Sequence, residues 1–93
     1  MFEPILQHIQ AKIRMLDYVM TIHADEEMDD DGLSILDVEQ VILTGQIVER
    51  QRDQSTGEWK YLISRQMDDG LNVMVVAKLS PTDTVVIITV YAE

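Results

Sequence analysis

Cysteine is absent, proline occurs twice and glycine four times, and the aromatic residues are one tryptophan, three tyrosines and one phenylalanine. Without cysteine the chain forms no disulfide, no thiolate zinc site and no thiol nucleophile, a composition suited to a reducing compartment. Long hydrophobic runs are also missing. The longest, Val85 to Val90, falls far short of the roughly 20 apolar residues that a membrane-spanning helix requires. Met1 to Tyr18 lacks the basic start, apolar run and small-residue cleavage site of a secretory leader, so the expected location is the cytoplasm. Positive charge is scarce: seven Lys and Arg stand against 17 Asp and Glu, a net charge of −10. That sign opposes a protein whose main task is to grip phosphate backbones and makes nucleic acid an unexpected partner. No catalytic motif is present, and neither a cofactor nor a metal is expected.

What remains is a chain of 93 residues, 46% of them hydrophobic, the size of one small domain over 1–93. Ile5, Ile9, Ile13 and Leu16 recur at helical spacing with Pro4 in the first turn, predicting an amphipathic N-terminal helix within 1–16. Tyr18 to His23 is rich in β-branched and aromatic residues and reads as a strand. Ala24 to Asp31 is a short acidic helix with Gly32 at its left-handed stop. Ser34 and Asp37 match a capping box, followed by Ile35, Val38, Val41 and Ile42 on one face and Thr44-Gly45 at the end.

Beyond Gln46 the period changes to two. Ile47 to Asp53 and Glu58 to Met67 form hairpin strands around Gln54-Ser55-Thr56-Gly57. Asp68-Asp69-Gly70 turns into Leu71 to Leu79, and Ser80-Pro81-Thr82-Asp83 turns into Val85 to Tyr91, a strand so apolar that cover on both faces is expected. The order is α-β-α-α-β-β-β-β. It describes an α+β domain with about five strands in a mainly antiparallel sheet, the first strand at an edge or beside the last.

Thr21-Ile22-His23-Ala24-Asp25-Glu26-Glu27-Met28, Gly32-Leu33-Ser34, Asp37-Val38-Glu39, Gly45-Gln46-Ile47-Val48-Glu49 and Ile88-Thr89-Val90-Tyr91 together resemble the domain-of-unknown-function family 4258. The resemblance covers about 18–91, nearly everything except the first helix. It implies a small fold similar to the RelE and BrnT toxins and a setting in toxin and antitoxin systems. The family pattern is His-Ala-x-Glu-Arg-Met, and Glu27 stands here at the arginine position. That reversal removes a phosphate contact.

Four residues are candidates for catalysis: His23 and Glu26, three apart at a strand-to-helix junction, and Tyr61 and Tyr91 on the strands. The structural alternative has His23 packing the start of the acidic helix with Glu26 holding its tautomer. Arg50, Arg52, Trp59 and Lys60 are candidates for binding nucleic acid or a partner. With the turn at Gln54 to Gly57, Arg52 faces Trp59 and Arg50 faces Tyr61, placing guanidinium groups beside aromatic rings. The sheet half carries five bases and seven acids, against two and ten in Met1 to Gly45, so no region becomes positive. The run Asp25, Glu26, Glu27, Asp29, Asp30, Asp31 lacks calcium-loop spacing and reads as a solvated face suited to a basic partner. His8 lies off the apolar stripe and reads as a surface residue, and the scattered methionines read as core or interface filler.

Two functions fit. One is a non-catalytic interaction or regulatory domain, a degenerate toxin-like protein with an antitoxin-like or basic protein partner. The other is a RelE-like ribonuclease that holds RNA with Arg50, Arg52 and Lys60 and uses Tyr61 or Tyr91. Met74 and Val76, with the second face of the last strand, require cover from the first helix or from another copy, so a homodimer is expected.

Overall fold

The computed structural model describes residues 2–93. Its elements are α1 (Glu3–Arg14), β1 (Tyr18–Met20), α2 (Ile22–Asp30), α3 (Ile35–Thr44), β2 (Gln46–Arg52), β3 (Trp59–Gln66), β4 (Asn72–Leu79) and β5 (Val85–Ala92). This is the expected α+β order.

α1 is shorter than the apolar spacing predicts. The helix ends at Arg14, and Leu16 takes a left-handed φ of 57°. Leu16 N–H donates to Ile13 O and Asp17 N–H to Lys12 O, at 3.0 and 2.9 Å, completing the paired bonds of a Schellman stop. Leu16 is therefore not the last residue of the buried stripe; it is 71% exposed in a conformation that glycine adopts far more cheaply. β1 is also shorter than predicted, because Thr21 serves as the N-cap of α2. Its hydroxyl oxygen accepts from Ala24 N–H and donates to Ile88 O, both at 3.1 Å.

The capping box forms as expected: Ser34 Oγ accepts from Asp37 N–H, and Asp37 Oδ2 accepts from Ser34 N–H. α3 hands over to β2 at Gly45, where a Cβ would run into the carbonyl oxygens of Val41 and Ser64. Close backbone approach, not a positive φ, selects glycine there. Tyr18 ties β1 to α3 through a 2.6 Å bond from its hydroxyl to Glu39 Oε2.

The sheet runs β1-β5-β4-β3-β2, with β1 parallel to β5 and the remaining pairs antiparallel. All three helices share one core with one face of this sheet. α1 inserts Ile9 and Ile13 beside α3, and Gln10 Nε2 donates to the carbonyls of Ile42 and Leu43. α1 thus belongs to the same layer as α3 and does not cover the second face. Cover on both faces of β5 is likewise not found. One extra residue, Ile88, interrupts its pairing with β4, so the buried positions shift from Val85 and Ile87 to Val90. Val86, Ile88 and Tyr91 are left half-buried.

Three outcomes follow from this packing. Ile13→Ala should lower the unfolding free energy in urea by about 2 to 5 kcal/mol, since it empties a filled core position. Leu16→Gly should raise it by roughly 0.5 to 1 kcal/mol by relieving the left-handed leucine. Burial, then the Glu39 hydrogen bond, pushes the Tyr18 hydroxyl from its ordinary 10.0 up to about 12. With the folded value above the unfolded one, the stability tied to Tyr18 is complete below pH 10.0 and is lost as pH rises through about 12. Tyr18→Phe should flatten that stretch of a stability-against-pH curve.

Candidate functional site

The β2–β3 hairpin places the cationic and aromatic residues. Asp53 Oδ1 accepts from the N–H groups of Ser55 and Thr56 and from the Ser55 hydroxyl, closing the turn, and these bonds hold its carboxyl below the usual range, the Ser55 hydroxyl contributing most. The resulting register sets Arg52 opposite Trp59 and Arg50 opposite Tyr61. Both guanidinium groups then converge on one ring: Arg50 Cζ lies 4.2 Å and Arg52 Cζ 5.0 Å from the Trp59 centroid. Tyr61 takes no share in this stack. It is 7% exposed and turned, like Ile63, into the core.

Lys60 alternates to the opposite face. There Lys60, Gln51, Leu62, Val76 and Tyr91 line a shallow cavity of about 160 Å³. Tyr91 reaches this face from β5 opposite Met74, and Val19 of β1 joins it opposite Val86. The cavity is the hollow of a larger, uncovered apolar surface formed by Val19, Leu62, Met74, Val76, Val86 and Tyr91. Met74 and Val76 lie on the second face, as their alternation in β4 predicts. Leu62 and Val19 join them there; the alternation Lys60, Leu62, Ser64 in β3 carries the signal for the former.

His23 and Glu26 do not meet as the pair expected from their spacing. α2 begins at Ile22, so His23 already lies in the helix, and its partner is one residue later: His23 Nε2 is 3.1 Å from Glu27 Oε1. Glu26 is exposed. Glu27 Oε1 also accepts from Val90 N–H at 3.1 Å, and Asp31 Oδ2 accepts from Ala92 N–H at 2.9 Å. These two carboxylates, four apart on α2, bind the backbone of β5 where β1 has run out. The other members of the acid run, Asp25, Glu26, Asp29 and Asp30, face outward. No three metal-ligating side chains come together among the described residues. His8, off the stripe as read, pairs with Asp83 Oδ1 at 2.7 Å. Lys12 bonds both Asp17 and Asp83, at 3.0 and 3.3 Å, so that α1 is pinned to the β4–β5 turn.

Apart from Tyr61 in the core, the candidate residues therefore fall into three places. Arg50, Arg52 and Trp59 form a stack on the helix side of the sheet; Lys60 and Tyr91 lie on the open side; His23 and Glu26 lie on α2, beside the β5 edge and across the sheet from β2. Geometry for general acid-base work requires donor and acceptor within hydrogen-bond reach of one substrate atom, which these positions do not share. A family model described as "Domain of unknown function (DUF4258)" matches residues 20–92, taking in α2, α3 and β2 to β5 but not α1. No curated protein and no solved structure matches.

Glu27 occupies the position where the resemblance expects arginine, and its carboxylate serves as an acceptor for β5. Glu27→Gln should therefore preserve stability, because the amide oxygen still accepts from Val90 N–H. Glu27→Ala should cost about 1 to 2 kcal/mol in chemical denaturation. Equal losses in the two variants would show that charge, and not the hydrogen bond, holds α2 against β5.

Proposed function

The chain belongs to this family, and we propose that it is a non-catalytic interaction domain that pairs with a second copy of itself through the open face of its sheet. The uncovered apolar surface carries this reading. Large contiguous apolar patches at the surface mark interaction sites, and on this one Val19 is 54% exposed while Leu62, Met74, Val76, Val86 and Tyr91 are half-buried. The four strands β2 to β5, spaced about 4.8 Å and rising about 3.3 Å per residue, span roughly 19 by 26 Å, so a face-to-face pair buries on the order of 1,000 Å², the lower bound of a specific interface.

Charge favours the same partner. Residues 1–45 hold two bases and ten acids, and all three helices they form lie on the covered side of the sheet. Pairing by the open faces keeps the two acidic layers outermost, where they repel least. The open face itself carries Lys60 and Lys78 with Glu49 and Glu58, the last held to Lys78 at 3.0 Å, so its charges balance. A degenerate toxin-like regulator is the biological version of this reading that the resemblance adds. The ribonuclease alternative needs Arg50, Arg52, Lys60 and a tyrosine around one RNA strand, and their distribution over two faces and the core weighs against it.

The intact protein should run as a dimer in sizing chromatography with light scattering. Leu62→Glu with Val76→Glu should convert it to a monomer while leaving its helical circular dichroism in place. A wild-type monomer at high micromolar concentration would sink the proposal. Incubation with single-stranded RNA should leave the RNA intact; cleavage that disappears in Arg52→Ala would establish the ribonuclease instead.

A further inference from the structure

We propose that the outer edge of β2, with the Arg50 and Arg52 guanidinium groups beside it, docks an extended acidic peptide segment of a partner protein. β2 is the last strand of the sheet, so half of its backbone N–H and C=O groups face away from β3, with no strand beyond them among the described residues. Residues 48–52 are all exposed. Such an edge accepts one more strand by main-chain hydrogen bonding, with side chains setting which strand it takes.

The side chains here select for acid. Although acids outnumber bases by 17 to seven, Arg50 and Arg52, like Arg14, make no ion pair among the described residues; what sets them apart is that both lie over the Trp59 ring. The three carboxylates of the hairpin are engaged elsewhere. Glu49 accepts from Gln51, Asp53 closes its own turn, and Glu58 binds Lys78. Stacking on an indole uses the flat face of a guanidinium and leaves its in-plane N–H donors available for the forked geometry that carboxylates match.

Spacing narrows the partner further. Arg50 and Arg52 lie two apart on one face of β2, and an added strand repeats its side chains on each face at the same interval of about 6.6 Å. Acids at alternate positions of the peptide would thus meet both arginines, with β-branched or small residues between them. The acidic α2 does not repel this ligand strongly. It lies against β5, and three strand spacings of about 4.8 Å separate β5 from β2, more than the roughly 8 Å over which charges act in physiological salt. An RNA strand fits less well, because it brings no main-chain N–H and C=O ladder to pair with the backbone edge of β2. The arginines lie on the helix side of the sheet, so this edge stays available whether or not the open faces pair.

Trp59 is the chain's one tryptophan and reports directly on the stack. The full-length protein is titrated with a synthetic peptide of about eight residues carrying Glu at alternate positions between Val and Thr, a length that matches one sheet strand. A saturable change in Trp59 emission is expected. Binding should weaken about tenfold or more when the peptide Glu residues become Gln, and equally in Arg50→Gln with Arg52→Gln, as loss of charge-assisted bonds requires. Arg50→Lys with Arg52→Lys should fall between, keeping charge without the fork. Melting curves of the variants establish that they are folded. No saturable response, or one unchanged in the Gln variant, would overturn the proposal. So would tighter capture of a uridine-rich RNA of equal length, or a loss of oligomers in the Gln variant, which would assign this edge to a second copy.

Discussion

The architecture depends on how the backbone of β5 is satisfied. β5 has eight residues and its neighbour β1 only three, so most of one edge of β5 would be left without partners. An unpaired N–H at a half-buried edge costs about 1 to 3 kcal/mol, too much for a domain of this size to tolerate repeatedly. α2 supplies what β1 does not. Thr21 N–H donates to Ile87 O, the Thr21 hydroxyl to Ile88 O, and the Glu27 and Asp31 carboxylates accept from Val90 and Ala92. One segment of chain therefore begins as a strand and continues as a helix along the same edge. The helical interval of four residues places Glu27 and Asp31 to meet alternate N–H groups of the strand. A run of acids that reads as a solvated face is in part a substitute for the missing length of β1.

That edge also explains the one-sided sheet. α2 must lie alongside β5 to reach its backbone, and α1 and α3 fill the same layer around it. Among the described residues nothing is left to cover the other side. The extra residue at Ile88 lets β5 remain apolar throughout while presenting Val90 to the core, so a strand that appears fit for burial on both faces serves one core and one open surface. At the far end, β2 manages its exposed edge differently: the register shift after Ile47 and the charges of Glu49, Arg50 and Arg52 discourage pairing with any uncharged strand.

The legible parts of the sequence were those in which a local rule acts alone. The Ser34–Asp37 box, the Gly32 stop, the turn at Gln54 to Gly57 and the resulting Arg52–Trp59 register all rest on chemistry within a few residues. The misread parts depend on contacts distant in sequence. Leu16 looked like a helical core position because spacing cannot tell a buried leucine from one forced into a left-handed stop. His23 was paired with Glu26 because the helix was expected to begin after it; starting at Ile22 moves the matching partner one position, to Glu27. Tyr61 could not be separated from Trp59 by pattern, since both alternate onto one face and only the reach of the helices over β3 decides which is buried. The role of Glu27 required knowing that β1 stops at Met20.

Taken together, the charges give the domain two unlike edges. In the β2–β3 hairpin Arg50, Arg52, Lys60 and Arg65 stand against Glu49, Asp53 and Glu58, whereas α2 carries six acids over Asp25 to its cap at Asp31. The net charge of −10 is thus an average over an acidic edge and one close to neutral. A domain of this kind is poorly described by its overall sign. Close to β2 a ligand meets the nearest charges, and beyond a Debye length it meets few others. The same separation makes contact between copies at β2 and α2 electrostatically attractive but geometrically open-ended, since joining unlike edges builds chains while joining like faces closes a pair. The apolar open face, the bulge in β5 and the charged, kinked β2 all favour closure.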